Sequence, residues 1–448
     1  MAYRSGDNPP AVPHRVVVTG AGIVTAHGCG WQANADAVRE GRVSLKPVTL
    51  FDVTRQRVAT AGQVDLPANL PPHRLPTRIV GRLDRGSHLL LHALHETLTS
   101  AGWTAGKGGK DEKDTLLPVP LCLGTSAGAM TLGEEFHRRT LTHPESRGGQ
   151  TTRALFYQTH TQSVLAARAF GITGPVTLLS NACASGANAI GHAFQLLRRG
   201  QAPRALAGGY DALCHLVFAG FDSLKALSTT RPRPFDSARD GLALGEGAAL
   251  LALETLEHAT ARGARILAEV TGYGASTDLH HLTQPDPEGG AAFDSMTQAC
   301  RMAGMGAEGI DYLNSHGTGT PLNDSAEGRA IQRWAGEHVG RIAVSSTKGG
   351  MGHLLGGAGA VEAVISLMAL HGDFLPPNVA VDAADAVCTF ALVQKPEARA
   401  LRAVLTNSFG FGGSNATLVF QKPPGFMEST ASIQSIQSIQ SMGAAAMD

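Results

Sequence analysis

The feature that most constrains the fold is an apolar strand pattern that runs into a Gly-rich turn and occurs twice. The first copy begins at residue 14 (HRVVVTGAGIVT) and the second at residue 265 (RILAEVTGYGAS). Short apolar segments alternate with helical patterns after each copy, as expected for α/β units. The 448 residues therefore predict two related halves rather than a string of unrelated domains.

Composition narrows the class of protein. Hydrophobic residues make up 43% of the chain and charged residues 17%, which indicates a compact globular protein. Lys plus Arg and Asp plus Glu are both 37, so no overall attraction to nucleic acid or to anionic membranes is expected. The six cysteines include no CxxC pair, which favours a reducing cytoplasm over a disulfide framework. We see no signal-peptide core and expect no membrane-spanning run.

Cys183 lies in the run SNACASG, between an apolar strand pattern and a helical pattern. A tight strand-to-helix turn would present its sulfur, and the positive end of the helix would favour the thiolate. The alternative is an inert buried cysteine that fills space among small residues. Taken alone, Cys183 fits the inert alternative better.

Three segments of the C-terminal half follow apolar strands and carry polar or glycine residues. They begin at His316 (HGTGTPLND), Lys348 (KGGMGH, ending at His353) and residue 407 (NSFGFGGSN). Ligands of α/β proteins gather at the carboxyl ends of strands, so these segments can converge on one cavity. Each histidine alone would also fit a core position. Metal binding is disfavoured because no carboxylate or third histidine stands at ligand spacing beside either one.

Taken together, these motifs resemble those of the β-ketoacyl-acyl-carrier-protein synthases, most closely the elongating type II branch. The resemblance runs from about residue 14 to about 421 and includes a Cys motif and a two-His half in the family's order. It implies a thiolase-like fold: a duplicated, layered αβαβα sandwich with mixed five-stranded sheets. The chain would then divide into an arm at 1–13, an N-terminal half at 14–260, a C-terminal half at 261–421 and a low-complexity tail at 422–448.

The resemblance also implies roles for individual residues. Cys183 would accept the acyl chain, and His316 and His353 would stabilise the enolate formed by decarboxylation of a malonyl thioester. Lys348 would support the histidines, with Glu362 as its buried partner. Phe409 would gate the acyl pocket, and its N–H would join that of Cys183 in an oxyanion hole. Four further residues would line the entrance for the phosphopantetheine arm: Thr318, Thr320, His281 and Thr283.

The resemblance implies no bound cofactor, because substrates arrive on the phosphopantetheine of an acyl-carrier protein. It implies a homodimer, or a heterodimer with a related condensing subunit, in the cytoplasm. Since carrier proteins are acidic, a basic rim is expected near the entrance; the candidates are Arg78, Arg82, Arg85, Lys225 and Arg231.

The chain departs from the family pattern in two places. Ala127 stands where elongating enzymes often carry a bulky aliphatic residue at the base of the acyl tunnel. Residues 151–168 bring polar groups, among them Tyr157, Gln158 and Thr161, into a segment that lines the acyl pocket in the family. A saturated chain needs no such groups. These departures suggest a non-standard acyl chain, such as a polyene, and a polyketide pathway rather than a fatty-acid pathway.

Two alternatives remain open at this point. A non-catalytic, chain-length-determining partner subunit of a condensing heterodimer would share the fold, but such partners typically lack the cysteine. A thiolase-type relative would carry a second catalytic cysteine, and no cysteine lies in the His316 or Lys348 motifs.

Overall fold

The computed structural model describes residues 13–103, 116–145 and 150–423. The predicted arm and low-complexity tail lie outside these residues, apart from residues 13, 422 and 423. The strands are β1 Val16–Thr25, β2 Gly28–Cys29, β3 Lys46–Pro47, β4 Thr60–Ala61, β5 Leu121–Gly124, β6 Val176–Leu179, β7 Arg204–Asp211, β8 Gly247–Thr255, β9 Ala268–Thr277, β10 Tyr312–Asn314, β11 Ala343–Ser345, β12 Phe374–Leu375, β13 Ala391–Leu392, β14 Glu397–Ala398, β15 Ala403–Phe409 and β16 Ser414–Gln421.

Local sequence explains where several helices begin. Asp84 caps one helix by accepting hydrogen bonds from the N–H groups of Gly86 and Ser87, and Pro321 occupies the first turn of another. The helices are α1 Trp31–Glu40, α2 Thr77–Val80, α3 Arg85–Ser100, α4 Met130–Thr142, α5 Thr151–Tyr157, α6 Thr159–Ala169, α7 Ser185–Arg198, α8 His215–Ser223, α9 Leu256–Ala261, α10 Gly290–Met302, α11 Pro321–Ala335, α12 Lys348–Met351 and α13 Ala358–Gly372.

The two halves repeat one strand order. The N-terminal half is ordered β6-β5-β7-β8-β1, and the C-terminal half β11-β10-β15-β16-β9. In both, the first two pairings are parallel and the last two antiparallel. β9 therefore occupies in the second half the place of β1 in the first, as the repeated strand pattern predicts. The predicted boundary at 260/261, which falls at the end of α9, stays a proposal.

The two five-stranded units are not separate. β1 pairs with β9 over three residue pairs, from Val16 opposite Val270 to Val18 opposite Ala268. This pairing joins both units, with the short β2 and β13, into one twelve-stranded sheet.

Alternate residues of β8 show how the layers stack. One face of β8, Ala248, Leu250 and Ala252, packs with α3, and the other, Ala249, Leu251 and Leu253, packs with α7 and α13. In the second half, β16 likewise packs against the central helices on one face and α10 on the other. The result is the predicted thiolase-like αβαβα sandwich, with α7 and α13 as the central layer.

The central layer also contains the most apolar helix. Residues Leu355–Gly372 are long and apolar enough to cross a bilayer, although the sequence suggested no such run. In the fold, 89% of this stretch is buried. Its apolar surroundings are supplied by the sheets and by α7, so it is a core helix.

Candidate active site

Cys183 sits in a one-turn 3₁₀ helix, Ala182–Ala184, immediately before α7. The preceding Ala182 has φ of +55°, a left-handed conformation that costs free energy for a residue with a Cβ and occurs mainly at functional turns. Gly410 lies against this turn: a Cβ on it would be 3.1 Å from the Cys183 nitrogen. The strand-to-helix turn predicted from the sequence is therefore present, and it is strained.

The charge state predicted for Cys183 is wrong. Burial raises the pKa of the Cys183 thiol to about 12, although Lys348 and the backbone N–H of Phe411 act to lower it. Loss of solvent around the sulfur thus outweighs the positive charge of Lys348 and the backbone donor, and the group is a thiol at neutral pH.

Lys348 lies at the centre of the polar site and connects three groups. Its ammonium forms a buried ion pair with Glu362, donates to the His316 carbonyl oxygen at 2.6 Å, and lies 3.4 Å from Nδ1 of His316. Because ammonium only donates, it fixes Nδ1 of His316 as the acceptor and leaves the proton on Nε2.

The two imidazoles are close and neutral. Their ring centroids are 5.3 Å apart, with planes at 84°. Burial, and then the positive charge of Lys348, hold the pKa of both His316 and His353 well below the usual range. Neutral imidazoles that carry a proton on one nitrogen can donate hydrogen bonds to a developing anion.

Cys183, His316 and His353 line one cavity of about 380 Å³. Its walls come from both halves, because Cys183 precedes α7 and the histidines follow strands of the second half. The same cavity is lined by all of the predicted entrance and gate residues: Phe409, Thr318, Thr320, His281 and Thr283.

Two family models match the chain. "Beta-ketoacyl synthase, N-terminal domain" covers residues 14–259 and "Beta-ketoacyl synthase, C-terminal domain" covers 267–382. The chain belongs to the β-ketoacyl synthase family. The resemblance and the enzyme class predicted from the sequence, a condensing acyltransferase, are thereby confirmed.

Individual relatives agree over nearly the whole length. A 3-oxoacyl-[acyl-carrier-protein] synthase 2 from Synechocystis sp. is 37% identical over 417 residues, which is 91% of this chain and 98% of the relative. A solved β-ketoacyl synthase from Burkholderia phymatum STM815 is 32% identical, with a TM-score of 0.82 over 92% of this chain and all of that chain. "The ishigamide ketosynthase/chain length factor" is 30% identical, with a TM-score of 0.84 and the same coverage.

Strand register orients the backbone at Phe409 within this β-ketoacyl synthase. Gly410 donates to the Ser414 carbonyl at 2.8 Å, so Phe409, opposite Asn415, occupies a non-hydrogen-bonded pair. The N–H of Phe409 consequently points away from β16, and the neighbouring β10 has already ended at Asn314. This orientation fits the oxyanion role that the resemblance implies.

Two buried carboxylates of α11 were not predicted from the sequence. Glu327 accepts from the N–H groups of His316 and Gly317 at 2.8 and 2.7 Å, and Asp324 accepts from the N–H of Gly319. They hold the loop that carries His316 to the helix that follows it. Asp324 ends the HGTGTPLND run, and Glu327 follows three residues later on the same helix face. This helical spacing is the sequence signal that could have predicted the two carboxylates.

The predicted pocket residues Ala127 and Tyr157 do not line this cavity. Ala127 is buried in an apolar cluster behind it, and Tyr157 is partly exposed at the end of α5. Their roles toward the acyl chain stay predictions.

The cavity mouth is less basic than expected. Of the five predicted candidates, only Lys225 lines the cavity; Arg231 pairs with Asp382, and Arg85 forms a partly buried ion pair with Glu246. Lys225 is accompanied in the lining by Asp240 and Asp278. Exposed apolar side chains make up much of the remaining rim: Leu224, Leu282, Leu322 and Phe411.

Proposed function

We propose that this β-ketoacyl synthase condenses an acyl chain, held on Cys183, with malonyl-acyl-carrier protein to give a 3-oxoacyl-carrier protein. The observation that carries the proposal is the single cavity shared by Cys183, His316 and His353, with Lys348 fixing the proton of His316. The proposed partners are an acyl-carrier protein and a second, identical or related, condensing subunit. The free cysteines among the described residues fit the proposed cytoplasmic location.

The first step is transfer of the acyl group. The Cys183 sulfur attacks the thioester carbonyl, and the carrier's phosphopantetheine sulfur leaves as a thiolate. The proton lost by Cys183 is transferred to this departing thiolate. Because burial keeps Cys183 protonated, that proton must move during the transfer. The imidazole of His353 is the base available in the same cavity, because Lys348 occupies Nδ1 of His316 and leaves its Nε2 protonated.

The second step forms the carbon–carbon bond. The carboxylate of the malonyl group leaves as CO₂, and its bonding electrons form an enolate stabilised by hydrogen bonds from Nε2–H of His316 and from the imidazole of His353. The enolate carbon attacks the acyl carbonyl on Cys183, and the Cys183 thiolate then leaves. Backbone N–H groups of Cys183 and Phe409 would hold the oxyanion of this step.

The substrate is proposed to be a non-standard acyl chain of a polyketide or polyene type rather than an ordinary saturated fatty acid. Support comes from the departure of residues 151–168 from the family pattern and from the similarity to a ketosynthase/chain length factor. The fatty-acid alternative is supported by relatives named 3-oxoacyl-[acyl-carrier-protein] synthase 2. Competition between acyl-carrier substrates decides this, because preferred elongation of ordinary saturated chains would refute the polyketide assignment.

The chain-length-determining partner subunit is the second candidate function. The cysteine that such partners typically lack is present here, together with both histidines and Lys348. This complete set favours the active enzyme.

Substitution of the nucleophile tests the proposed function. Cys183→Ala and Cys183→Gln should both abolish condensation of an acyl-carrier substrate with malonyl-carrier protein, measured by mass spectrometry of the product. Cys388→Ala, which changes another free cysteine, should leave condensation intact. Retention of condensation by both Cys183 variants would refute the mechanism.

A further inference from the structure

Asp211 is a fully buried carboxylate at the end of β7 that the proposed reaction does not use. It accepts hydrogen bonds from Thr125 Oγ1 at 2.6 Å and from the N–H groups of Ser126 and Ala127 at 2.9 and 2.8 Å. It also accepts from the N–H of Gly356 at 2.6 Å. Since all four donors are neutral, one negative charge holds two separate turns together.

The two turns lie beside different parts of the site. Residues 125–127 follow β5 in the N-terminal half, whereas Gly356 belongs to the turn Leu355–Gly357, shortly after His353 in the C-terminal half. Asp211 therefore connects the loop that carries Ala127 to the loop that carries His353.

The second turn is strained and tightly packed. Leu355 has φ of +52°, and a Cβ on Gly356 would lie 2.4 Å from the Ser126 nitrogen. Strain of this kind persists only where surrounding contacts impose it. The hydrogen bond from Gly356 to Asp211 is one such contact.

Both turns also supply the apolar wall behind the cavity. Ala127 and Leu355 belong to a buried cluster with Leu242, against which Phe221 packs. Leu242 and Phe221 in turn line the cavity that contains Cys183. An acyl chain on Cys183 that extends toward this wall would meet the cluster whose backbone Asp211 holds.

We propose that Asp211 is a positioning residue that sets the shape of this apolar wall and thereby the enzyme's selectivity for acyl-chain length. The inference rests on the proposed function, since it assumes that Cys183 accepts acyl chains. Asp211→Asn would place an amide group against N–H donors, and Asp211→Glu would push the two turns apart.

The test measures acyl transfer to Cys183 in the intact protein by mass spectrometry, with butanoyl and dodecanoyl thioesters in parallel. We expect Asp211→Asn and Asp211→Glu each to change the ratio of the two rates by about fivefold or more, since pocket shape discriminates chain length on this scale. The milder substitution Thr125→Val removes one hydrogen-bond donor to Asp211, and it replaces the first two variants in the test if they are insoluble.

Asp236→Asn is the matched control. Asp236 is buried and accepts from the N–H groups of Ala238, Asp382 and Ala383, but it does not line the cavity. A purely structural role for Asp211 would lower both rates equally, as this control is expected to do. An unchanged ratio in the Asp211 and Thr125 variants overturns the inference, whereas a wild-type enzyme that no thioester acylates at Cys183 overturns the proposed function instead.

Discussion

At the scale of single residues, burial decides the charges of the site. The same desolvation that keeps His316 and His353 neutral also keeps Cys183 protonated, and it raises the pKa of Glu362 to about 7 although Lys348 lowers it. The site therefore works with neutral donors around one buried ion pair. This arrangement favours stabilisation of an enolate over permanent storage of a thiolate.

The rate at which iodoacetamide alkylates Cys183 measures the charge state of its sulfur directly. With the thiol pKa at about 12, the thiolate fraction and the alkylation rate should rise about tenfold per pH unit from pH 7 to 9, without a plateau. Lys348→Met should slow the reaction, because Lys348 lowers that pKa. Peptide mass spectrometry gives the rate, N-acetylcysteine serves as the unperturbed control, and a plateau between pH 6 and 8 would instead indicate a preformed thiolate.

At the scale of elements, the central helices α7 and α13 approach closely because glycines lie where they meet. A Cβ on Gly359 of α13 would lie 2.8 Å from both the nitrogen and the Cβ of Ala187 on α7. The start of α7, next to Cys183, and the start of α13 are thus held in one position. Because backbone atoms and small side chains fill this contact, the two helices have little room to shift relative to each other.

Gly359→Ala should destabilise the protein by about 1–3 kcal/mol, the usual cost of overpacking a core. The matched control is Gly220→Ala in α8, where an added Cβ meets nothing within 4 Å and should stabilise slightly. Chemical denaturation of both variants and the wild type gives the comparison. Equal stability of Gly359→Ala and wild type would show that the two helices can move apart at little cost.

At the scale of the whole molecule, the cavity lies between the two halves and opens through a rim with many apolar side chains. The charged residues in its lining are Lys225, Asp240 and Asp278, so an acidic carrier protein gains little net attraction there. We therefore expect apolar contact around the mouth to contribute more than charge to carrier docking at this surface.

Leu322→Glu tests this contribution. Leu322 is 55% exposed in the first turn of α11, where a carboxylate is compatible with the helix. We expect its KM for a carrier-bound thioester to rise several-fold while kinetics with a small N-acetylcysteamine thioester change little. Val43→Glu, at a residue 54% exposed and outside the cavity lining, is the control; equal effects on both substrates would argue against a docking role.

Much of the site was predictable because its residues stand in short motifs directly after apolar strands. The motif residues, the strand-to-helix turn at Cys183 and the duplicated halves all follow from local pattern and family resemblance. The buried carboxylates of Asp211 and Glu327 were not predicted, because each hydrogen-bonds to a segment whose proximity depends on the folded chain.

The sequence by itself determined which chemical groups are available and that two α/β halves carry them. Only the tertiary structure decided how those groups are charged and oriented. A pKa depends on the solvent and charges around a group, and the charged neighbours of Cys183 include Lys348 and Glu362, which lie more than 150 residues away along the chain. The repeated strand pattern that constrained the fold joins, through the pairing of β1 with β9, the half that carries Cys183 to the half that carries the two histidines.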